Sequence, residues 1–154
     1  MVFEHDFKSY PELTNSQLDV LLFVSPHPQM TEDFVGVVEK VHDGDTVTVS
    51  ISTRDFSFPV RLLDIDAPEL SEGGVEAREY LRSRVLGETV FFSLDSRNRV
   101  DKYGRLLARL LHGGFDLGQE MLGLGYVVPF GKKHEGEPES VDKIFSVRQW
   151  FGGF

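Results

Sequence analysis

The sequence predicts a mainly β domain with helices (α+β class), five strands closing a small barrel that carries two to three helices. Three observations lead there. Apolar and polar residues alternate with period two in several segments separated by turn signals. An amphipathic helical stretch separates the third of these segments from the fourth. The 154 residues suffice for one sizeable core and fall short of two domains of usual size.

Residues 1 to 32 are turn-rich, with Pro11, Pro26 and Pro28. Within them Thr14-Asn15-Ser16-Gln17 has the form of a capping box ahead of Leu18, Leu21 and Leu22, which predicts a short helix. This stretch reads as an N-terminal extension packed on a domain spanning 33–154. Strand character begins at Phe34 and runs through Val35, Val37 and Val38 to Val41, where Asp43-Gly44 marks a tight turn. Val47, Val49 and Ile51 then alternate with Thr46, Thr48 and Ser50. A third strand is expected over 56–65, with Pro59 marking an edge or bulge.

Gly73-Gly74 precedes a helix in which Ala77, Leu81 and Val85 share one face, and Gly87 suits the position just past its end. Two more strands follow, 90–94 and 105–111, the latter with Leu106, Ala108 and Leu110 on one side. Asp116 caps a short helix through Met121 to Leu124, ended by Gly125, and a last helix is expected over 139–150. Three strands, a helix, two strands and further helices make the OB-fold arrangement, whose barrel presents ligands on the face of its central strands.

Composition narrows the function classes. Hydrophobic residues at 40% and charged residues at 27% exclude a wholly disordered chain. The absence of Cys excludes disulfide scaffolds, zinc ribbons and thiol nucleophiles. The N-terminus has no basic n-region and no long apolar run, so neither membrane insertion nor standard export is expected of the chain as it stands. It would be cytoplasmic, or secreted if a leader has been removed. A net charge of −9 opposes strong non-specific binding to nucleic acid. Yet Arg97, Arg99, Lys102, Arg105 and Arg109 cluster, while acids gather at Glu32, Asp33, Glu135, Glu137, Glu139 and Asp142. A local basic patch on an acidic body is the expectation.

Three segments carry chemistry. Asp43-Gly44-Asp45-Thr46 flanks a hairpin turn with carboxylates; ordinary turn chemistry accounts for Asp43, but Asp is depleted in strands, so Asp45 needs a further reason. Arg61 to Glu69 holds Arg61, Asp64, Asp66 and Glu69 within nine residues, a surface salt-bridge cluster or a set of oxygen ligands for a hard cation. Alternation alone puts Arg61 and Asp66 on opposite faces, so they converge only if the chain bends before Pro68. Asp101-Lys102-Tyr103-Gly104-Arg105 enters a strand with an Arg suited to bidentate phosphate contact, or to a plain surface role.

Together these segments resemble the staphylococcal nuclease (thermonuclease) family over residues 34 to 128: D-G-D-T at 43–46, R-L-L-D-I-D-A-P-E at 61–69, the G-x-E-A-like helix start at 74–77, D-K-Y-G-R at 101–105 and G-Y-V at 125–127. The resemblance implies a Ca²⁺-dependent endonuclease that hydrolyses the 5′ P–O bond of DNA or RNA and leaves 3′-phosphate ends. Single-stranded nucleic acid is the expected substrate, a monomer the expected state, and no membrane is expected to be involved. It implies Asp45 and Asp66 as calcium ligands, joined by the backbone carbonyl of Ala67, with Asp43 acting through water. It makes Glu69 the general base and sets Arg61 and Arg105 on the scissile phosphate. Lys102, Tyr103 and Tyr126 would bind substrate.

The sequence departs from the family at several points. Asp64 stands where the family is apolar or Gly, and is expected to face solvent. Leu70 to Gly74 is short and acidic where the family's archetype has a longer basic loop. Val128 replaces the second of two tyrosines, with Phe130 as a substitute aromatic, and residues 1–32 have no counterpart. Two other function classes stand beside the enzyme: a non-catalytic OB-fold module that binds nucleic acid or protein, and a metal-independent structural protein.

Overall fold

A computed structural model of the chain describes residues 10–21 and 27–131, the side chains at 19–21 excepted. The helix expected over 139–150 and the acids at 135, 137, 139 and 142 lie outside the described residues. Helix α1 is Asn15–Leu21, and the capping box forms as expected. Thr14 Oγ1 accepts from the Gln17 amide at 3.2 Å, and the Gln17 side chain accepts from the Thr14 amide at 2.9 Å. Strands β1 (Phe34–Asp43), β2 (Thr46–Ser50), β3 (Phe58–Leu62) and β4 (Ile65–Asp66) follow, then α2 (Gly74–Val85), β5 (Thr89–Leu94), β6 (Leu106–His112), β7 (Phe115–Asp116), α3 (Leu117–Leu124) and β8 (Val128–Pro129).

The strands β3-β2-β1-β5-β6 lie side by side and antiparallel, and β3 then meets β6 in a parallel seam through Val60↔Leu106, Arg61↔Leu107 and Leu62↔Ala108. That seam closes a five-stranded barrel and removes its open edges, with α2 between its third and fourth strands. Pro59 opposes Thr48 of β2 and lies one residue ahead of the seam. Its missing N–H therefore falls outside the parallel ladder.

Alternation decides what is inside. Val38, Val47, Val49, Phe58, Val60 and Leu62 are buried from three strands; Leu106, Ala108 and Leu110 are buried from β6. Ala77, Leu81 and Val85 on α2 are wholly buried, as their helical spacing requires. Each fully buried Leu, Val or Phe contributes roughly 1.5–3 kcal/mol. Helix α3 is capped as expected: Asp116 accepts from the Gln119 amide and Gly125 takes the left-handed conformation at φ 82°. Among the described residues no helix is long and apolar enough to cross a membrane.

The third strand differs from expectation. It stops at Leu62 rather than continuing to Ile65, because the chain turns at Leu63-Asp64, where Asp64 adopts φ 66°. Beyond the turn, β4 pairs with β8 in a separate small sheet through Ile65↔Pro129 and Asp66↔Val128. A left-handed residue reverses the pleat, and Asp tolerates that region better than most non-glycine residues.

Candidate active site

The Leu63-Asp64 turn brings the functional groups together. Arg61 on β3 and Asp66 on β4 end up on one side: Arg61 Nη2 donates to Asp66 Oδ1 at 2.6 Å and stands 3.4 Å from Asp45 Oδ2. Arg61 Nη1 donates to the Leu62 carbonyl at 2.6 Å, and only 7% of the residue is exposed. Asp45, the last residue of the β1–β2 turn, is equally well held. Its Oδ2 accepts from the Ala67 amide at 2.8 Å and its Oδ1 from the Thr46 hydroxyl at 2.9 Å. Asp66 Oδ2 accepts from the Gly131 amide at 3.0 Å. Two carboxylates from different elements thus share one guanidinium.

Asp43 ends β1 and accepts from the Asp45 amide at 3.0 Å. Burial, and after it the side-chain hydrogen bond and charge of Asp45, push its carboxyl up to about 6. Burial pushes Asp45 up too, but its hydrogen bonds to Asp43, Ala67 and Thr46 and the Arg61 charge outweigh this and hold it below its ordinary value. As pH falls through about 6, Asp43 therefore takes up a proton while Asp45 keeps its charge; at neutral pH both carboxylates are mostly ionised.

Glu69 is exposed and precedes a short 3-10 turn, Leu70–Glu72. Its carbonyl accepts from the amides of Glu72 at 2.8 Å and Gly74 at 2.9 Å, which fixes its backbone. A Cβ at Gly74 would stand 2.2 Å from the Pro68 carbonyl oxygen, so this close approach requires glycine.

The third segment forms a turn between β5 and β6. Asp101 Oδ1 accepts from the amides of Tyr103 and Arg105, both at 2.9 Å, and Oδ2 accepts from Arg105 Nε at 2.7 Å. Asp101 therefore orients Arg105 while leaving its two Nη groups as the remaining donors. The Tyr103 ring, 58% exposed, lies 5.1 Å from Lys102 Nζ and 5.3 Å from the Arg105 guanidinium. Phe130, more exposed still, lies 5.9 Å from Arg61.

Asp43, Asp45, Arg61, Asp66, Ala67, Glu69, Lys102, Tyr103 and Arg105 all line one cleft of about 1150 Å³, together with Asp64, Asp101 and Phe130. Tyr126 does not line it. Its ring stacks on Tyr80 at 4.6 Å, beside the Tyr80 hydroxyl and Arg84, which both donate to Glu120. The expected basic patch also disperses. Arg99 is buried against the N-terminal segment, and Arg109 pairs with Asp64 and Asp116, so only Lys102 and Arg105 of the cluster reach the cleft. Neighbours in sequence point different ways because a strand and its entry turn alternate. Asp64 is exposed, as expected of it, and additionally pairs with Arg109.

Sequence reasoning passed over Asp101 as the residue that orients Arg105. Its signal was an Asp ahead of a Gly-containing turn, with the Arg four residues on. Among the described residues no three of His, Asp and Glu form a preformed metal cage, and Arg61 stands between Asp45 and Asp66.

The comparisons agree with this geometry. A family model described as "Staphylococcal nuclease homologue" matches residues 59–148. An uncharacterized endonuclease of Escherichia coli O157:H7 is 33% identical over 110 residues, covering 70% of this chain and 69% of its own length. The micrococcal nuclease of Shigella flexneri is 38% identical over 76 residues, 49% of this chain and 41% of that protein. An uncharacterized protein of Methanocaldococcus jannaschii is 29% identical over 150 residues, 79% of this chain and 66% of its own. Barrel, cleft and matched sequence together place the chain in the family of staphylococcal nuclease homologues.

Proposed function

We propose that the chain is an endonuclease that hydrolyses single-stranded DNA or RNA with the help of Ca²⁺, cutting the 5′ P–O bond. The observation that carries this is the convergence of Arg61, Glu69, Arg105, Asp45 and Asp66 on one cleft. The donor set fits a hard divalent cation: carboxylate oxygens of Asp45 and Asp66, the Ala67 carbonyl, and Asp43 through water. Asp43, Asp45, Asp64, Asp66, Glu69 and Asp101 outnumber Arg61, Lys102 and Arg105 around the cleft, so a polyanion is repelled until a cation redresses the balance. When bound, Ca²⁺ neutralises phosphate charge and polarises a water.

The remaining steps belong to the chain. Glu69 takes a proton from the attacking water as its oxygen bonds to phosphorus. Arg61 and Arg105 donate to the phosphoryl oxygens, whose charge grows in the five-coordinate transition state. The bond from phosphorus to the 5′ oxygen breaks, the leaving oxygen takes a proton from solvent water, Glu69 later returns its proton to solvent, and the phosphate stays on the 3′ end. Exposed Tyr103 and Phe130 offer ring faces to unpaired bases, which favours single strands. Every group in this scheme comes from one chain, so the scheme works in a monomer.

Purified protein incubated with single-stranded DNA, duplex DNA and RNA, in Ca²⁺ and in EDTA, tests the reading. Ca²⁺-dependent cleavage with 3′-phosphate ends is expected, fastest on single strands. No cleavage in Ca²⁺ at any salt concentration removes the enzyme claim; 5′-phosphate ends remove the bond assignment.

A further inference from the structure

The N-terminal segment touches the phosphate-binding turn at three levels. At its entry, Asn15 Nδ2 donates to the Ser96 carbonyl at 3.0 Å. In its middle, the buried Arg99 reaches into the segment: Nη1 donates to the Leu13 carbonyl at 3.0 Å, Nη2 to Glu12 Oε2 at 3.0 Å and Nε to the Met30 carbonyl at 2.8 Å. At its tip, the Tyr10 ring lies so close to Gly104 that a Cβ there would meet Tyr10 Cδ1 at 2.8 Å. Gly104 adjoins Arg105, and Arg99 lies two residues before Asp101, which orients Arg105.

Glu12 is the centre of this arrangement. It is 1% exposed, accepts from the Met30 amide at 2.9 Å and lies between two buried arginines, Arg54 and Arg99. Among the described residues Arg54 Nε and Nη1 have no hydrogen-bond partner, and its guanidinium lies 4.6 Å from the Phe58 ring. Glu12 is thus the carboxylate that balances both buried cations, and removing its charge leaves them uncompensated. Meanwhile the Arg99 carbonyl accepts from the Leu107 amide at 2.8 Å and Val100 bridges to Leu106. Arg99 is fastened to β6 by its backbone and to the N-terminal segment by its side chain, and residues 100–105 are suspended from it.

We propose that residues 10–15 brace the turn carrying Lys102, Tyr103 and Arg105, with Glu12 and Tyr10 as positioning residues for Arg105. The inference rests on the nuclease reading above and adds a part to it. An exposed turn of this kind opens locally at little cost unless something packs on it. Transition-state contacts lose effect with displacements near an ångström. The brace supplies what the turn lacks on its own: a buried ionic anchor on one side and an aromatic ring on the other.

The test combines amide hydrogen exchange at residues 103, 105 and 107 with steady-state cleavage of a short single-stranded oligonucleotide. Wild type, Glu12→Gln, Tyr10→Ala and Tyr10→Phe are compared. In Glu12→Gln and Tyr10→Ala, exchange at these amides rises roughly tenfold or more while β1 and β2 amides hold. In the same variants kcat falls by about tenfold or more and KM changes only a few-fold, because Arg105 acts in the transition state. Tyr10→Phe keeps the ring and restores both readouts. Unchanged exchange in the folded Tyr10→Ala variant overturns the brace, and that variant decides alone if Glu12→Gln does not fold. If the wild type cleaves nothing yet the variants loosen the turn, the brace stands and the nuclease reading falls.

Discussion

Replacing Arg61 by Ala perturbs stability and catalysis through the same guanidinium. In the folded chain it makes a 2.6 Å bond to Asp66, a 3.4 Å contact to Asp45 and a 2.6 Å bond to the Leu62 carbonyl, all nearly sealed from solvent. Removing one partner of a buried ion pair costs about 3–5 kcal/mol, since the carboxylates left behind keep their desolvation without their counter-charge. At about 2–4 °C per kcal/mol for a chain of this size, Tm falls by roughly 6–20 °C in EDTA. Ca²⁺ at a hundredfold excess over its Kd adds about 2.7 kcal/mol to wild type and variant alike by linkage, so the variant's Tm climbs in Ca²⁺ while its gap to wild type remains. Turnover does not recover with it. Loss of one transition-state donor lowers kcat by about 10²–10³. The assay pairs thermal unfolding in EDTA and in Ca²⁺ with initial rates on a single-stranded oligonucleotide. A Tm unchanged in EDTA refutes the buried-pair argument, and a kcat within tenfold of wild type refutes the catalytic one.

Other outcomes follow from single contacts. Gly74→Ala pushes a methyl to 2.2 Å from the Pro68 carbonyl and 2.7 Å from that of Glu69; it costs about 1–3 kcal/mol in urea unfolding and displaces Glu69, so kcat falls as well. A variant as stable and active as wild type would falsify the close-approach reading. Phe130→Ala raises KM by the equivalent of roughly 1–3 kcal/mol, whereas Tyr126→Ala lowers Tm and spares KM, because Tyr126 packs on Tyr80 rather than in the cleft. Equal KM effects from the two changes contradict this separation. Bonds from Arg84 and then Tyr80 hold the Glu120 carboxyl below its ordinary value of 4.5. A depressed carboxylate stabilises fully above its unfolded pKa and loses that contribution as pH falls through the folded one. Glu120→Gln is therefore less stable than wild type at pH 7, and the gap narrows below about 4.5; a gap that stays constant down to acid-induced unfolding speaks against the linkage.

Periodicity carried the barrel. The buried faces of α2 and β6 follow directly from the spacing of Ala77, Leu81 and Val85 and of Leu106, Ala108 and Leu110. Capping residues at Thr14 and Asp116 were equally legible, because a cap is a local hydrogen bond written within four residues. The candidate site was legible as residue types and only partly as geometry. Arg61 and Asp66 meet through one left-handed Asp64, and a non-glycine residue in that conformation leaves little trace in sequence. Arg99 looked like part of a basic patch because its partner, Glu12, lies 87 residues away. Tyr126 matched a substrate-binding motif; its ring stacks on Tyr80 of α2, a neighbour that the motif does not contain.

The parallel seam between β3 and β6 sets a condition on when activity can exist. Arg61 pairs in register with Leu107 at that seam, and the seam joins segments remote in sequence. Non-local pairings of this kind carry the largest chain-entropy cost to form. Until the barrel shuts, the acids of the β1–β2 turn, the arginine of β3 and the arginine beside β6 belong to separate pieces of chain. A chain whose barrel has not yet shut therefore carries the proposed site residues without the proposed site, which exists only once β3 and β6 have met.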